Sequence, residues 1–255
     1  MSDKFRRANM INDLRPWIER ARTFTGWSFP DLHIKHLDPL PTWDYEAIVR
    51  DFGSRARSAV DLGTGGGEVL SRVVAGMGAR FVATEEWSVN VPIARDRLAP
   101  HGIDVAWASA ECLPFRDGAF DLVIDRHEAL SPAEVARVLM PGGAVITQQC
   151  GPDNWRELRD FFPRAAIFDD HWTAYTEGFE AAGLRVVRRE HHRFRSAFGS
   201  ISEVAFLLMT APWTVPDFDP LRDLESLISL EDALRTDDGI VLTETRYLIL
   251  AEQPA

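Results

Sequence analysis

The run Asp61-Leu62-Gly63-Thr64-Gly65-Gly66-Gly67-Glu68 puts a carboxylate directly ahead of a series of glycines. Glycine adopts positive φ angles freely and lets a ligand approach the main chain without meeting a Cβ. Ser58–Leu62 reads as a short buried strand and Val69–Ala75 as a helix that starts at once, so the glycines form the turn between them. Free N–H groups at a helix start, with the positive end of the dipole behind them, suit a polar ligand. A dinucleotide fingerprint, G-x-G-x-x-G, needs its third glycine for close packing of helix on strand. Counted from Gly63 and Gly65, that position holds Glu68. Asp61 is also wrong for a pyrophosphate; a carboxylate there suits a ligand with positive charge near it.

The elements that must position this turn follow from periodicity. From residue 56 to 150, strand and helix patterns alternate: strands over 80–84, 104–108, 120–125 and 144–148, helices over 91–98 and 131–140. Ser131 is the expected N-cap of the last helix, with Pro132 at its first position. Such alternation implies a parallel sheet covered on both faces, with ligands at the carboxyl ends of its strands. Before it, residues 9–23 read as an amphipathic helix containing Pro16, and 43–52 as a second helix. After it, helices are expected over 153–162, 172–182, 200–209 and 221–234, and strands over 184–190 and 243–250. The implied division is an N-terminal helical cap (1–52), a ligand-binding core (53–190), an insertion covering a substrate (191–240) and a last core strand (241–255). A long interruption between two core strands usually carries function, so the insertion, with Trp213, is expected to close over the substrate.

Composition narrows the ligands. The 255 residues carry a formal net charge of −11, whereas a nucleic-acid enzyme usually presents a basic face. Lys4 and Lys35 are the only lysines, which disfavours Schiff-base chemistry. Cys112 and Cys150 are isolated and lack metal spacing, so no metal is expected. With no N-terminal apolar run and no apolar run of ~18 residues, the expectation is a cytoplasmic protein with a small-molecule substrate and no membrane partner. Oligomeric state is left open.

Several ordered stretches resemble one family. The pattern D-x-G-x-G-x-G from Asp61 to Gly67 resembles the first motif of the class I S-adenosylmethionine-dependent methyltransferases, in their type 11-like form. Phe81-Val82-Ala83-Thr84-Glu85 is similar to the second strand and its terminal acidic residue, about twenty residues on. Ala108–Phe115 is similar to the D-A-x-x-L-P-F segment, Phe120–Asp125 to the fourth strand, and Arg137–Gly143 to R-V-L-K-P-G-G; Gly178–Leu184 extends the likeness. The resemblance implies a doubly wound, Rossmann-like α/β fold with a seven-stranded sheet, mostly parallel, whose last strand runs antiparallel. It implies S-adenosyl-L-methionine as cofactor. Asp61, Gly63 and Gly65 would face its methionine part, Glu85 its ribose hydroxyls, Ser109 and Ala110 its adenine edge, and Asp125 the sulfonium side. The position that usually packs an apolar side chain on adenine holds Glu86 here, and the adenine-edge position, often aspartate, holds Ser109.

Methyl transfer is a direct displacement that needs alignment and exclusion of water. It needs a base only where the acceptor must lose a proton. Asp125-Arg126-His127-Glu128 follows the fourth strand in place of the N/D-P-P-Y/F signature of enzymes that methylate nucleic-acid amines or glutamine amides. His127, beside the donor, is the candidate general base or substrate contact, with helix-lead packing its other reading. His33 and His36 are weaker candidates, and His191 and His192 are expected at the surface. The implied activity is methyl transfer to an O, N or C atom of a small molecule. An RNA methyltransferase and a non-catalytic S-adenosylmethionine-binding regulator are the alternatives, and a dehydrogenase a distant one.

Overall fold

Runs that are apolar on both faces are stable as strands only between two layers of helix, and four such runs here become adjacent parallel strands. In the computed structural model, which describes residues 3–167 and 170–255, the chain runs α1 (Asp3–Arg22), β1 (Ile34–His36), α2 (Tyr45–Gly53), β2 (Ser58–Leu62), α3 (Glu68–Val73), β3 (Arg80–Glu85), α4 (Val91–Leu98), β4 (Asp104–Trp107) and β5 (Phe120–Arg126). It continues through α5 (Pro132–Val138), β6 (Leu139–Cys150), α6 (His171–Ala181), β7 (Arg185–Phe198), α7 (Ile201–Thr210), α8 (Leu224–Leu234), β8 (Arg235–Thr236) and β9 (Gly239–Glu252). The sheet order is β4-β3-β2-β5-β6-β9-β7-β1, with β8 hairpinned onto β9. Strands β4 to β6 pair in parallel, while β9 enters antiparallel between β6 and β7. The chain reverses its direction of winding between β3 and β5, on either side of β2. The end of β2 is therefore the crevice where such sheets bind ligands.

Local chemistry sets the boundaries. Asp44 caps α2 by accepting from Ala47 N–H (3.0 Å). Ser131 caps α5 from Glu134 N–H (3.3 Å), with Pro132 in the first turn. Ser200 caps α7 from Glu203 N–H (3.2 Å). One face of the sheet packs on α2, α3 and α4 through Ala59, Ile124, Ile146, Leu248, Val49, Leu70 and Leu98, and the other on α5 and α6 through Val60, Val123, Val145, Val135 and Phe179.

The sheet has nine strands rather than seven, because the three-residue β1 and two-residue β8 extend its ribbon edge. Residues 191–198, expected to open the insertion, continue β7, since they pair with Tyr247 down to Ile240 of β9. The helix expected over 153–162 is a short 3₁₀ turn, Arg156–Asp160. Trp155, with φ 51°, turns its N–H onto Thr243 O (2.7 Å) and ties this stretch to β9 instead. Strands β7 and β9 are 14 residues each against 5 in β2. At about 3.3 Å per residue, their ribbon rises well beyond the carboxyl ends of the parallel strands.

A third apolar layer joins the two ends of the chain. Met10 and Leu14 of α1 pack with Val204, Leu207 and Leu208 of α7, with Leu227 of α8, and with Phe198 and Leu242 of the ribbon. Trp17 and Phe24 meet Phe206 at ring distances of 5.4 and 5.2 Å. The N-terminal helix and the insertion thus form one cap, while α2 belongs to the core face. No described helix is long and apolar enough to cross a membrane.

Leu14 is fully buried in the cap. Leu14→Ala is expected to destabilise the protein by about 2–5 kcal/mol, measured by urea unfolding; a loss below 1 kcal/mol would show α1 to be an appended helix.

Candidate active site

The glycine turn is held in shape by β3. Gly63, Gly65 and Gly67 have φ of 59°, 63° and 77°, the left-handed region where a side chain is strained. Thr84 O accepts Thr64 N–H (2.9 Å), and Thr84 Oγ1 accepts Gly63 N–H (3.3 Å). Glu85 completes the clamp: one carboxylate oxygen accepts Gly65 N–H (2.6 Å) and the other Trp87 N–H (2.8 Å). Its neighbour points the other way, as successive strand residues must: Glu86 is exposed, and its carbonyl accepts the Trp107 indole N–H (2.8 Å). Ala110 is buried beyond β4. Ser109 is half-buried, its hydroxyl accepting Glu111 N–H (3.3 Å).

Four carboxylates surround the turn. Asp61 at the end of β2 is buried, and burial, with Glu85 nearby, pushes its pKa up to about 7. Glu128, beyond β5, is also pushed up to about 7 by burial and by Glu85 and Glu86. Burial raises Glu85 and Asp125 as well. None of the four forms an ion pair among the described residues. Asp125, expected on the sulfonium side, is already engaged with the protein. It is wholly buried and accepts from Thr147 Oγ1 (2.5 Å), Gln149 Nε2 (2.5 Å) and Glu128 N–H (3.3 Å), which fixes the loop after β5 rather than presenting a carboxylate to a ligand. Glu128 is the acid the sequence reading missed; its side chain lies where a Cβ on Gly63 would fall.

His127 stands at the mouth of β5 in the left-handed conformation, φ 67°, with its N–H donated to Gln148 O (2.8 Å). Its ring makes no hydrogen bond among the described residues and is exposed to solvent. The surrounding protein, Arg246 and Arg126 hold its pKa well below the ordinary value. An imidazolium there is disfavoured, so the candidate base becomes a neutral hydrogen-bonding group. Three other histidines are tied to the protein: His33 Nδ1 contacts Glu203 (3.2 Å), His36 Nδ1 contacts Ser196 Oγ (3.0 Å), and His192 Nε2 donates to Pro39 O (2.8 Å). Among the described residues, no His, Cys, Asp and Glu cluster could hold a metal ion.

Part of the insertion lies over the glycine turn. Trp213 packs on Trp27 (5.5 Å) and Trp87 (5.4 Å), above the glycine turn. Trp27 lies against Gly65, where a Cβ would fall 2.4 Å from its ring. Its segment is tied down by Glu68, which accepts Trp27 N–H (3.1 Å), and by Asn90, which accepts Gly26 N–H (3.1 Å). The cap therefore roofs the turn, because α1 and α7 share a core.

Comparison with known proteins agrees with this geometry. Residues 60–147 match the family model described as a methyltransferase domain. The match takes in the glycine turn and the parallel strands from β2 to β6. The ubiquinone/menaquinone biosynthesis C-methyltransferase UbiE of Francisella tularensis subsp. novicida is 27% identical over 154 residues, which take in 51% of this chain and 60% of that one. The chain thus spans less than two thirds of this curated relative. A candidate methyltransferase (BH2331) of Bacillus halodurans C-125 shares the fold with a TM-score of 0.60 at 16% identity, over 83% of this chain and 99% of that one. A geranyl diphosphate methyltransferase solved with S-adenosylmethionine gives 0.51 at 15% identity, over 82% and 84%. The matched segment ends before the upper ribbon and excludes the cap, so nothing in it bears on Tyr45 or Arg246.

The raised acids set a pH dependence. A carboxylate raised from its ordinary pKa of about 4 to about 7 favours the folded state only while protonated, so its contribution is lost as pH rises from about 4 to 7. Asp61→Asn is expected to raise the melting temperature of the ligand-free protein at pH 8 and to change it far less at pH 5. Destabilisation at pH 8 would mean that the ionised carboxylate is already compensated.

Proposed function

We propose that the protein transfers a methyl group from S-adenosylmethionine to a small-molecule acceptor. The observation that carries this reading is the ring of Asp61, Glu85 and Glu128, unpaired around a glycine turn. Buried acids without counter-ions complement a ligand that brings an ammonium and a sulfonium, and a dinucleotide pyrophosphate would be repelled. The turn itself requires Gly63 and Gly65, whose φ is positive and where a Cβ would collide with Glu128 or Trp27. The methyltransferase-domain match over residues 60–147 supports the same ligand.

Asp61 and Glu128 would take the cationic methionine end, with Gly63 and Gly65 lying against it. Each Glu85 oxygen accepts one N–H and keeps a lone pair for a ribose hydroxyl. Ser109 and Ala110 would lie at the adenine edge, and exposed Glu86 would contribute little. Trp27, Trp87 and Trp213 would exclude water. When bound, the cofactor supplies a methyl carbon whose bond to sulfur breaks, the electron pair returning to sulfur, as an acceptor lone pair attacks. His127, neutral, would hydrogen-bond the acceptor.

The net charge of −11 favours a small molecule over RNA. With methyl-labelled S-adenosylmethionine, label is expected in the small-molecule fraction of a metabolite extract and not in bulk RNA. Label in RNA would overturn the acceptor class, and tight binding without transfer would indicate a regulator.

Glu85→Ala is expected to weaken S-adenosylhomocysteine binding by about 1.5–3 kcal/mol, because charge-assisted bonds and the loop clamp go together. Glu85→Gln should lose less and Glu86→Ala little. Calorimetry checks the order; a larger loss for Glu86→Ala would contradict the assignment.

A further inference from the structure

On the sheet face that carries α2, basic side chains gather beside the acid ring. Side chains alternate along a strand. Arg126 of β5, Gln148 and Cys150 of β6, and Arg246 of β9 therefore all project to the face that buries Ile124, Ile146 and Leu248. The registers Arg126↔Gln148, Gln148↔Leu248 and Cys150↔Arg246 put the arginines two strands apart, about 10 Å across the sheet. Tyr45 of α2 packs over the same face. It is 6% exposed, and its hydroxyl is buried without a hydrogen-bond partner.

The two arginines differ in what they are free to do. Arg246 donates to Asn154 Oδ1 (2.8 Å), Thr245 O (2.9 Å) and Glu244 Oε1 (3.2 Å). The second oxygen of Glu244 accepts from Ser196 Oγ (2.7 Å). Arg126 is exposed, and its guanidinium makes no ion pair and no hydrogen bond among the described residues, although enough protein lies around it to lower its pKa. Glu46, paired with Arg72 (2.6 Å), and Asp61 also act on Arg126. Three guanidiniums, Arg126, Arg246 and Arg72, against the carboxylates of Glu244 and Glu46 leave one positive charge while Asp61 is protonated, and Arg126 is the one without a direct ion pair. His127, held neutral, adds none. One free guanidinium beside an orphan phenol hydroxyl matches a group with two oxygens and a single negative charge. A dianionic phosphate would find one cation too few.

We propose that the acceptor is a small carboxylic acid anchored by its carboxylate on Arg126, with the Tyr45 hydroxyl donating to one oxygen; this rests on the methyl-transfer reading above. Arg246 acts as a positioning residue through the potential it adds, not by contact. The acceptor atom lies elsewhere on the same molecule, toward His127 and the acid ring. The anionic anchor and the cationic donor then bind on opposite sides of the loop that carries His127, each to side chains of opposite charge.

The test uses benzoate, its neutral analogue benzamide, and inorganic phosphate, titrated by NMR into protein saturated with S-adenosylhomocysteine. Benzoate is expected to bind, and benzamide roughly tenfold or more weakly. Arg126→Gln should weaken benzoate by a similar factor while leaving S-adenosylhomocysteine affinity unchanged, and Arg126→Lys should recover part of the loss. Tyr45→Phe should weaken benzoate less. The proposal is overturned if wild type binds no benzoate, if benzamide binds equally, if phosphate binds more tightly, or if Arg126→Gln leaves benzoate unaffected. It is overturned too if Arg126→Gln loses S-adenosylhomocysteine instead, which would give the guanidinium to the cofactor. Failure of wild type to bind S-adenosylhomocysteine would remove the methyl-transfer reading alone; benzoate and benzamide titrated into ligand-free protein then decide the anion site by themselves.

Discussion

Four carboxylates lie close together around one turn, and none forms a direct ion pair among the described residues. Buried charges are ordinarily paired, because taking them out of water is costly. Here the fold supplies neutral donors instead. Glu85 takes two main-chain N–H groups, and Asp125 takes a hydroxyl, an amide and a main-chain N–H. Those bonds serve as geometry too: Glu85 clamps the glycine turn to β3, and Asp125 sets the loop that carries His127 and Glu128. Asp61 and Glu128 lack comparable support and stay partly protonated near neutral pH. Acids left in that state mark a site where ligand complementarity opposes stability.

The sheet separates two electrostatic regions. Its parallel half ends in the acid ring, at the strand where the winding reverses. Its antiparallel half extends past that edge as the β7–β9 ribbon and carries Arg246 with Glu244, Ser196 and Asn154 around it. Arg126 and His127 sit at the seam between the halves. A seam of this kind can hold a positive and a negative ligand a few ångströms apart, because each meets groups of opposite charge.

The cap links both regions to the ends of the chain. α1 and α7 share an apolar core, which fixes Trp27 and Trp213 relative to each other and brings Trp87 in from the end of β3. Glu68 takes the place of the third glycine of a dinucleotide motif, and its carboxylate holds the Trp27 main chain. A residue that excluded one ligand class in the sequence is thus used to seat the roof.

The sequence by itself determined the α/β class, the glycine turn and the alternation of strands and helices through the core. These depend on local periodicity and on glycine φ angles, both of which are written into neighbouring residues. It also placed Asp61 and Glu85 at adjacent strand ends, since a crossover brings consecutive parallel strands together. Glu128 and Arg126 stood in a quoted stretch, but nothing local said which way each pointed. Glu244 and Arg246 left one faint signal, charges in phase with Leu248 and Leu250 on an apolar face. Only the tertiary structure decided that Asp125 turns inward, that burial and Arg246 keep His127 neutral, and that Trp213 covers the glycine turn. Each of these depends on groups more than a dozen residues apart in sequence, brought together by sheet register and cap packing, and no local pattern encodes such a distance.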